Sequence, residues 1–193
     1  MSGTHLAPTV FLDRDGTLIE EVGYLSHLDR IVLYPWSIES VKLLNRAGFK
    51  VVVVTNQAGV ARGLFDEDFI DEAHRFLDQK FSDGGATIDK FYYCPHHPEA
   101  SVEAYRSECD CRKPKAGMLW KAAQELQLEL SHSFVIGDRL SDLRLGPAVG
   151  AKSVLVRTGY GETTARELTD DVEVAYTAPE LMTAVAWILR HST

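Results

Sequence analysis

The chain has 193 residues, 45% hydrophobic and 25% charged, which suffices for one well-buried domain and excludes both a second full core and a disordered chain. Twenty Lys and Arg against 28 Asp and Glu leave a formal charge of −8, so no general basic field exists to hold a nucleic-acid backbone, and no nucleic-acid partner is expected. All three cysteines fall between Cys94 and Cys111, an odd, clustered set that suits a metal site better than a disulfide framework.

Met1–Pro8 has neither the basic nor the apolar region of a secretory signal. The longest strongly apolar runs, Val51–Val54 and Ala184–Leu189, are too short to span a bilayer, so a cytoplasmic protein with no membrane partner is expected. Thr9–Leu12 reads as a first strand and Ser37–Ala47 as a helix, with Ile38, Val41 and Leu44 at helical spacing. The apolar run Val51–Val54 is a second strand, Asp66–Phe81 a helix and Lys90–Tyr93 a third strand. Gly117–Leu128 is helical through Leu119, Ala122, Ala123 and Leu126; Phe134–Ile136 and Ser153–Val156 are further strands, and Glu180–Leu189 is a last helix. This alternation predicts an α/β fold with a doubly wound, mostly parallel, Rossmann-like sheet, one domain over residues 1–193, and chemistry at the carboxyl edge of the strands. Residues 94–115 break the alternation, forming a loop too long for a compact domain unless something staples it.

Three strand ends carry polar groups. Asp13 and Asp15 leave the first strand two residues apart, so that continued strand geometry turns both to one side, where their repulsion invites a divalent cation. Thr55, Asn56 and Gln57 end the second strand with neutral groups suited to phosphate oxygens. The fourth ends in Gly137-Asp138, with Asp142 near the start of the next helix. Each set alone also suits a capping turn, but three converging sets point to a ligand site.

On these residues the chain resembles the haloacid dehalogenase superfamily of phosphohydrolases: Asp13-x-Asp15-Gly16-Thr17, Thr55-Asn56, Lys113 and Gly137-Asp138-x-x-x-Asp142 stand in the order and spacing of its four motifs. The resemblance implies Asp13 as the nucleophile that forms an aspartyl-phosphate and Asp15 as general acid and then base. It implies Lys113 and Thr55 as stabilisers of the transferring phosphoryl group, and Mg²⁺ held by Asp13, Asp138 and the backbone carbonyl of Asp15. The intervals Thr17–Thr55 and Asn56–Cys94 read as an extended segment with a helix and a similarly short stretch, so no cap domain fits and the site is expected to be open.

Within the loop, three thiols and at least one imidazole could form a closed tetrahedral zinc shell. The runs CPHHP and CDCRKP with Gly117-Met118 are similar to the zinc-loop branch of that superfamily, which contains heptose bisphosphate and histidinol-phosphate phosphatases. That similarity implies Cys94, His96, Cys109 and Cys111 as structural zinc ligands, with His97 outside the shell, in a zinc-binding loop 94–115. Such a clamp would aim Arg112 and Lys113 at the phosphate site. Lys115-Ala116 departs from the branch, whose members often carry proline before Gly-Met.

Substrate-binding candidates are Glu21, Val22, Gly23 and Tyr24 after the nucleophile, Asn56, Gln57, Ala58 and Arg62 after the second motif, and Arg112 and Arg139 beside the centre. The TNQxGxARG run is similar to the heptose-phosphatase form, which implies removal of the 7-phosphate of a heptose 1,7-bisphosphate on the route to lipopolysaccharide or surface-layer heptose. The alternatives are a histidinol-phosphate phosphatase, favoured by anionic groups at the entrance, and a non-catalytic phosphosugar-binding or zinc-stabilised scaffold module, which would lack a catalytic carboxylate. A monomer is expected.

Overall fold

Alternation within the strands decides which layer each side chain joins. In the computed structural model, which describes residues 6–192, β1 (Ala7–Leu12) turns Val10 and Leu12 to one face and Phe11 to the other. The N-terminal segment as far as His5 lies outside the described residues. β2 (Lys50–Asn56) divides in the same way, Val51 and Val53 against Val52 and Val54. Both strands are buried on two sides, which accounts for their continuous apolar sequence. β3 (Lys90–Cys94), β4 (Leu128–Gly137), β5 (Lys152–Val156) and β6 (Tyr176–Ala178) complete a parallel sheet of order β3-β2-β1-β4-β5-β6.

One face is covered by α1 (Ser37–Arg46), α3 (Glu67–Asp83) and α8 (Leu181–His191), which bury Val41 and Leu44, Leu77 and Phe81, and Leu181, Val185 and Ile188. The other is covered by α4 (Gly117–Leu126), with Met118, Leu119 and Ala122, and by the short α6 (Leu145–Val149). The remaining helices are α2 (Ala58–Ala61), α5 (Leu140–Leu143) and α7 (Gly161–Glu167). Strand order reverses between β2-β1 and β1-β4, and at such a switch point the carboxyl ends leave a crevice.

Each strand read from sequence is present, and each long helix agrees to within two residues. Helix α4 stops at Leu126, short of the expected Leu128, because Gln127 takes a left-handed conformation (φ 54°) and Leu128 already pairs with Ala7. The interval from Thr17 to Thr55 holds a 3₁₀ turn (Leu28–Arg30), two isolated bridges and α1, and that from Asn56 to Cys94 holds α2 and α3. No cap is inserted among the described residues, and no described helix is long and apolar enough to cross a membrane.

Candidate active site

Asp13 follows β1 and extends its pairing with β4 by one bond, its N–H donating to the Ile136 carbonyl at 2.9 Å. Asp138 leaves β4 beside it. Asp13, Asp138 and Asp142 are buried and each offers a carboxylate oxygen within 4.8 Å of the others. Two glycines permit this approach: a Cβ on Gly16 (φ +79°) or Gly159 (φ +55°) would lie 2.1 or 2.2 Å from Asp138 Oδ2. That oxygen accepts from the Tyr160 N–H at 2.7 Å, while the buried Oδ1 has no partner.

Burial, then repulsion from Asp142, raises Asp13 well above the usual carboxylate range, although Lys113 opposes the shift. The same two causes push Asp138 up to about 7. Crowded, desolvated carboxylates with an orphaned oxygen fit a hard divalent cation such as Mg²⁺, which prefers oxygen ligands. Asp142 joins Asp13 and Asp138 in this carboxylate cluster, and the side chain of Asp15, expected to offer only its backbone carbonyl, lies outside it.

Lys113 enters from the loop before α4. Its Nζ lies 2.9 Å from Asp13 Oδ1 and 2.6 Å from Asp142 Oδ1, and donates to the Val54 carbonyl at 2.9 Å. Burial disfavours its charge, but the two aspartates outweigh that and hold it above the ordinary lysine range. Asn56 fixes the backbone of this residue: Nδ2 donates to the Lys113 carbonyl at 3.2 Å and Oδ1 accepts its N–H at 3.0 Å. The amide expected to bind substrate is therefore occupied in positioning Lys113.

Asp15 lies on the other side of the centre. Oδ2 accepts from Gln57 Nε2 at 3.0 Å and from Thr55 Oγ1 at 3.5 Å, and Gln57 also donates to Thr55 at 2.8 Å. Sequence reasoning missed Arg14, whose guanidinium forks onto both Asp15 oxygens at 3.1 Å although the residue is 1% exposed. A charged residue between two catalytic-type carboxylates was the available signal.

Above these groups opens a cleft of about 380 Å³. Glu21, Gly23, Tyr24, Asn56, Gln57, Ala58, Arg112 and Arg139 line it, as does Gly59 of the same run, together with Leu25, Ser141 and Tyr160, which were not anticipated. Two candidates are absent from the lining. Val22 packs against the core under β1 and β2, and Arg62 stands outside, over the Tyr24 ring at 5.8 Å. At the rim, Arg139 stacks on Tyr160 at 3.7 Å and pairs with Glu21 at 3.3 Å, which offsets the anionic charge at the entrance.

Beyond Lys113, Cys94 ends β3 and its sulfur lies 3.4 Å from that of Cys109 and 3.0 Å from that of Cys111. Cys109 and Cys111 are 3.2 Å apart, and His96 Nδ1 faces Cys111 at 3.4 Å and Cys94 at 3.8 Å. Three sulfurs and one nitrogen within 4.8 Å of one another match a closed zinc shell. Burial pushes the Cys94 thiol up, so a cation is needed to hold it as thiolate. His97 turns away and accepts the Glu99 N–H at 3.1 Å. The Arg112 guanidinium donates to the His96 carbonyl at 3.2 Å, and Glu67 of α3 accepts from Tyr93 and Tyr105, tying the loop to the body.

Residues 110–184 match the HAD-hydrolase-like family model. The chain is 44% identical over 162 residues to a D-glycero-beta-D-manno-heptose-1,7-bisphosphate 7-phosphatase of Photorhabdus laumondii, covering 83% of this chain and 86% of the relative. It is 42% identical over 184 residues to that of Escherichia coli K12, covering 94% and 88%. Among solved structures, D,D-heptose 1,7-bisphosphate phosphatase from B. bronchiseptica, complexed with magnesium and phosphate, superimposes with a TM-score of 0.84 at 28% identity, over 95% of this chain and 99% of that one.

Proposed function

The chain belongs to the family of D-glycero-beta-D-manno-heptose-1,7-bisphosphate 7-phosphatases within the haloacid-dehalogenase-like hydrolases, and from that footing we propose that it removes the 7-phosphate of D-glycero-β-D-manno-heptose 1,7-bisphosphate. The observation that carries this reading is the pairing of Lys113 Nζ with Asp13, 2.9 Å apart, beneath an open cleft rimmed by Arg112 and Arg139.

Asp13 attacks phosphorus, the bond to the C7 oxygen breaks, and Asp15 gives that oxygen its proton. Asp15 then takes a proton from water as it attacks the aspartyl-phosphate, which expels the Asp13 carboxylate and releases phosphate. Lys113 offsets charge on the phosphoryl oxygens and Thr55 donates to one of them. Asp13 and Asp138, with the Asp15 carbonyl, would hold Mg²⁺, which would supply positive charge to the phosphoryl group in addition to that of Lys113. Cys94, His96, Cys109 and Cys111 would hold zinc and so fix the loop that delivers Arg112 and Lys113. The chain works as one phosphatase domain, a monomer in the cytoplasm.

The second phosphate needs cations at the rim, and Arg112 and Arg139 supply them; Tyr24 and Glu21, which line the cleft, bind sugar hydroxyls. Away from the catalytic aspartates, the carboxylate that lines the cleft for a cationic histidinol phosphate is Glu21, already paired with Arg139. Phosphate release from both heptose bisphosphate anomers, fructose 1,6-bisphosphate and histidinol phosphate, with Mg²⁺, tests the reading. Preferred turnover of the β-heptose compound is expected; preference for histidinol phosphate overturns the substrate, and no turnover of any overturns the enzyme.

A further inference from the structure

The buried Arg14–Asp15 pair continues inward. Every nitrogen of the Arg14 guanidinium is committed: Nε and Nη2 to the two Asp15 oxygens, and Nη1 to His74 Nε2 at 3.4 Å. His74 lies on the buried stripe of α3 with Ile70, Ala73 and Leu77, and is itself 7% exposed. Its ring stacks on Phe91 of β3, with centroids 4.7 Å apart and planes at 20°, and tilts against Tyr93 at 5.8 Å. An arginine donates only, so His74 Nε2 must be the acceptor, which requires a neutral ring. Burial and the adjacent Arg14 push His74 down to about 3, consistent with that state.

We propose that His74 and Arg14 are positioning residues for Asp15, a chain from α3 and β3 that fixes the orientation of the carboxylate toward the leaving oxygen. Neither touches the phosphoryl group. A guanidinium held at one end only could swing with the carboxylate it pairs; the His74 contact anchors the other end to a ring packed against two aromatic side chains of β3. A fork-shaped donor fixes both oxygens of a carboxylate, which a lysine ammonium cannot do. The proposal rests on the role given to Asp15 above, and it extends the acid–base machinery to a residue 60 positions from Arg14 in sequence.

The test compares two substrates that differ in their need for an acid. A sugar phosphate leaves as an alkoxide and requires a proton, whereas p-nitrophenyl phosphate leaves as a stable phenolate. His74→Leu should lower kcat/KM for the bisphosphate about tenfold, consistent with a modest misplacement, while changing that for the aryl ester less than about twofold and leaving KM for the bisphosphate in place. His74→Gln, whose Oε1 restores an acceptor near Nε2, should recover most of the loss; Arg14→Lys, which keeps the charge but not the fork, should not.

Asp15→Asn in the same assay separates the two layers. If Asp15→Asn discriminates between the substrates and His74→Leu does not, the positioning role is overturned while the assignment of Asp15 stands. If Asp15→Asn lowers kcat/KM, which covers only the steps through departure of the leaving group, equally for both substrates, the assignment of Asp15 as general acid fails and the positioning role falls with it. Equal losses on both substrates for His74→Leu, with no rescue by Gln, identify a packing residue and overturn the proposal. Should His74→Leu fail to fold, the contrast of His74→Gln with Arg14→Lys decides the matter in the same way.

Discussion

Asp13 and Asp138 sit one residue beyond hydrogen-bonded parallel strands, whereas between Cys94 and Gly117 the only regular element among the described residues is the 3₁₀ turn Glu103–Tyr105. Both regions gather ligands for a cation. The first inherits its geometry from the sheet: strands buried on both faces fix where Asp13 and Asp138 emerge, and Gly16 and Gly159 let the loops close on them. The second has no ladder to inherit from. It depends on its own ligands, on Glu67 holding Tyr93 and Tyr105, and on Gly117, where a Cβ would meet the Asp110 carbonyl at 2.4 Å. Lys113 belongs to the second region by sequence and to the first by contact, so the less regular region delivers the cation that the more regular one needs.

The sharpest break of this contrast is Asp13→Asn. It removes the nucleophile from a rigid strand end, so turnover should fall by more than about 10⁴-fold while the unfolding transition remains cooperative; retained turnover takes Asp13 out of the nucleophile role. Asn56→Ala removes the two side-chain hydrogen bonds that hold the backbone of Lys113 and changes no ligand of either metal cluster. A fall in kcat of about tenfold to a hundredfold is expected, since misplacing a catalytic group by about 1 Å costs on that order. An unchanged kcat in steady-state assays would show that the loop positions Lys113 without Asn56.

The strand-end region should also show its cation in a pH dependence. Without Mg²⁺, folded Asp138 keeps its proton up to about 7, whereas the unfolded chain releases it near the ordinary value of 3.8. Between these values the native state binds more protons than the unfolded one. The stability of the metal-free protein therefore falls as pH rises through that window, and the contribution is lost above about 7. Mg²⁺ binds the ionised form, so the rise in Tm on adding it should be several degrees larger at about pH 8 than at about pH 5. Equal shifts at both, by thermal unfolding, contradict a cation at this carboxylate cluster. The smallest effect is expected at the rim: Glu21→Gln frees Arg139, and a change in KM of about threefold with kcat preserved is predicted, as for an exposed ion pair.

How legible each region is in sequence follows the same division. Short apolar, β-branched runs and abrupt polar strand ends expose β1, β2 and Asp13, Asp138 and Thr55 directly, because one short stretch carries both the element and the group it presents. The cysteine cluster is visible by residue type alone. What sequence hides is contact across distance. Asn56 reads as a strand-end amide, yet its partner is 57 residues away, and His74 reads as one more member of the α3 stripe although it meets Arg14. The strand β6 is three residues long, and α2, α5 and α6 are four or five, too short for a period to emerge. Val22 and Arg62 were nominated by proximity in sequence to the motifs; one rests partly buried against the core and the other lies over the ring of Tyr24.

The central claim is that a stapled loop aims Lys113 and Arg112 at a site built by the sheet. Turnover of the heptose bisphosphate at saturating Mg²⁺, followed as zinc is withdrawn from the protein and then restored, tests it most directly. The account predicts that kcat falls about a hundredfold or more as the four-ligand site empties, in step with bound zinc, and recovers when zinc returns. Full turnover with Cys94, His96, Cys109 and Cys111 free of metal would contradict it.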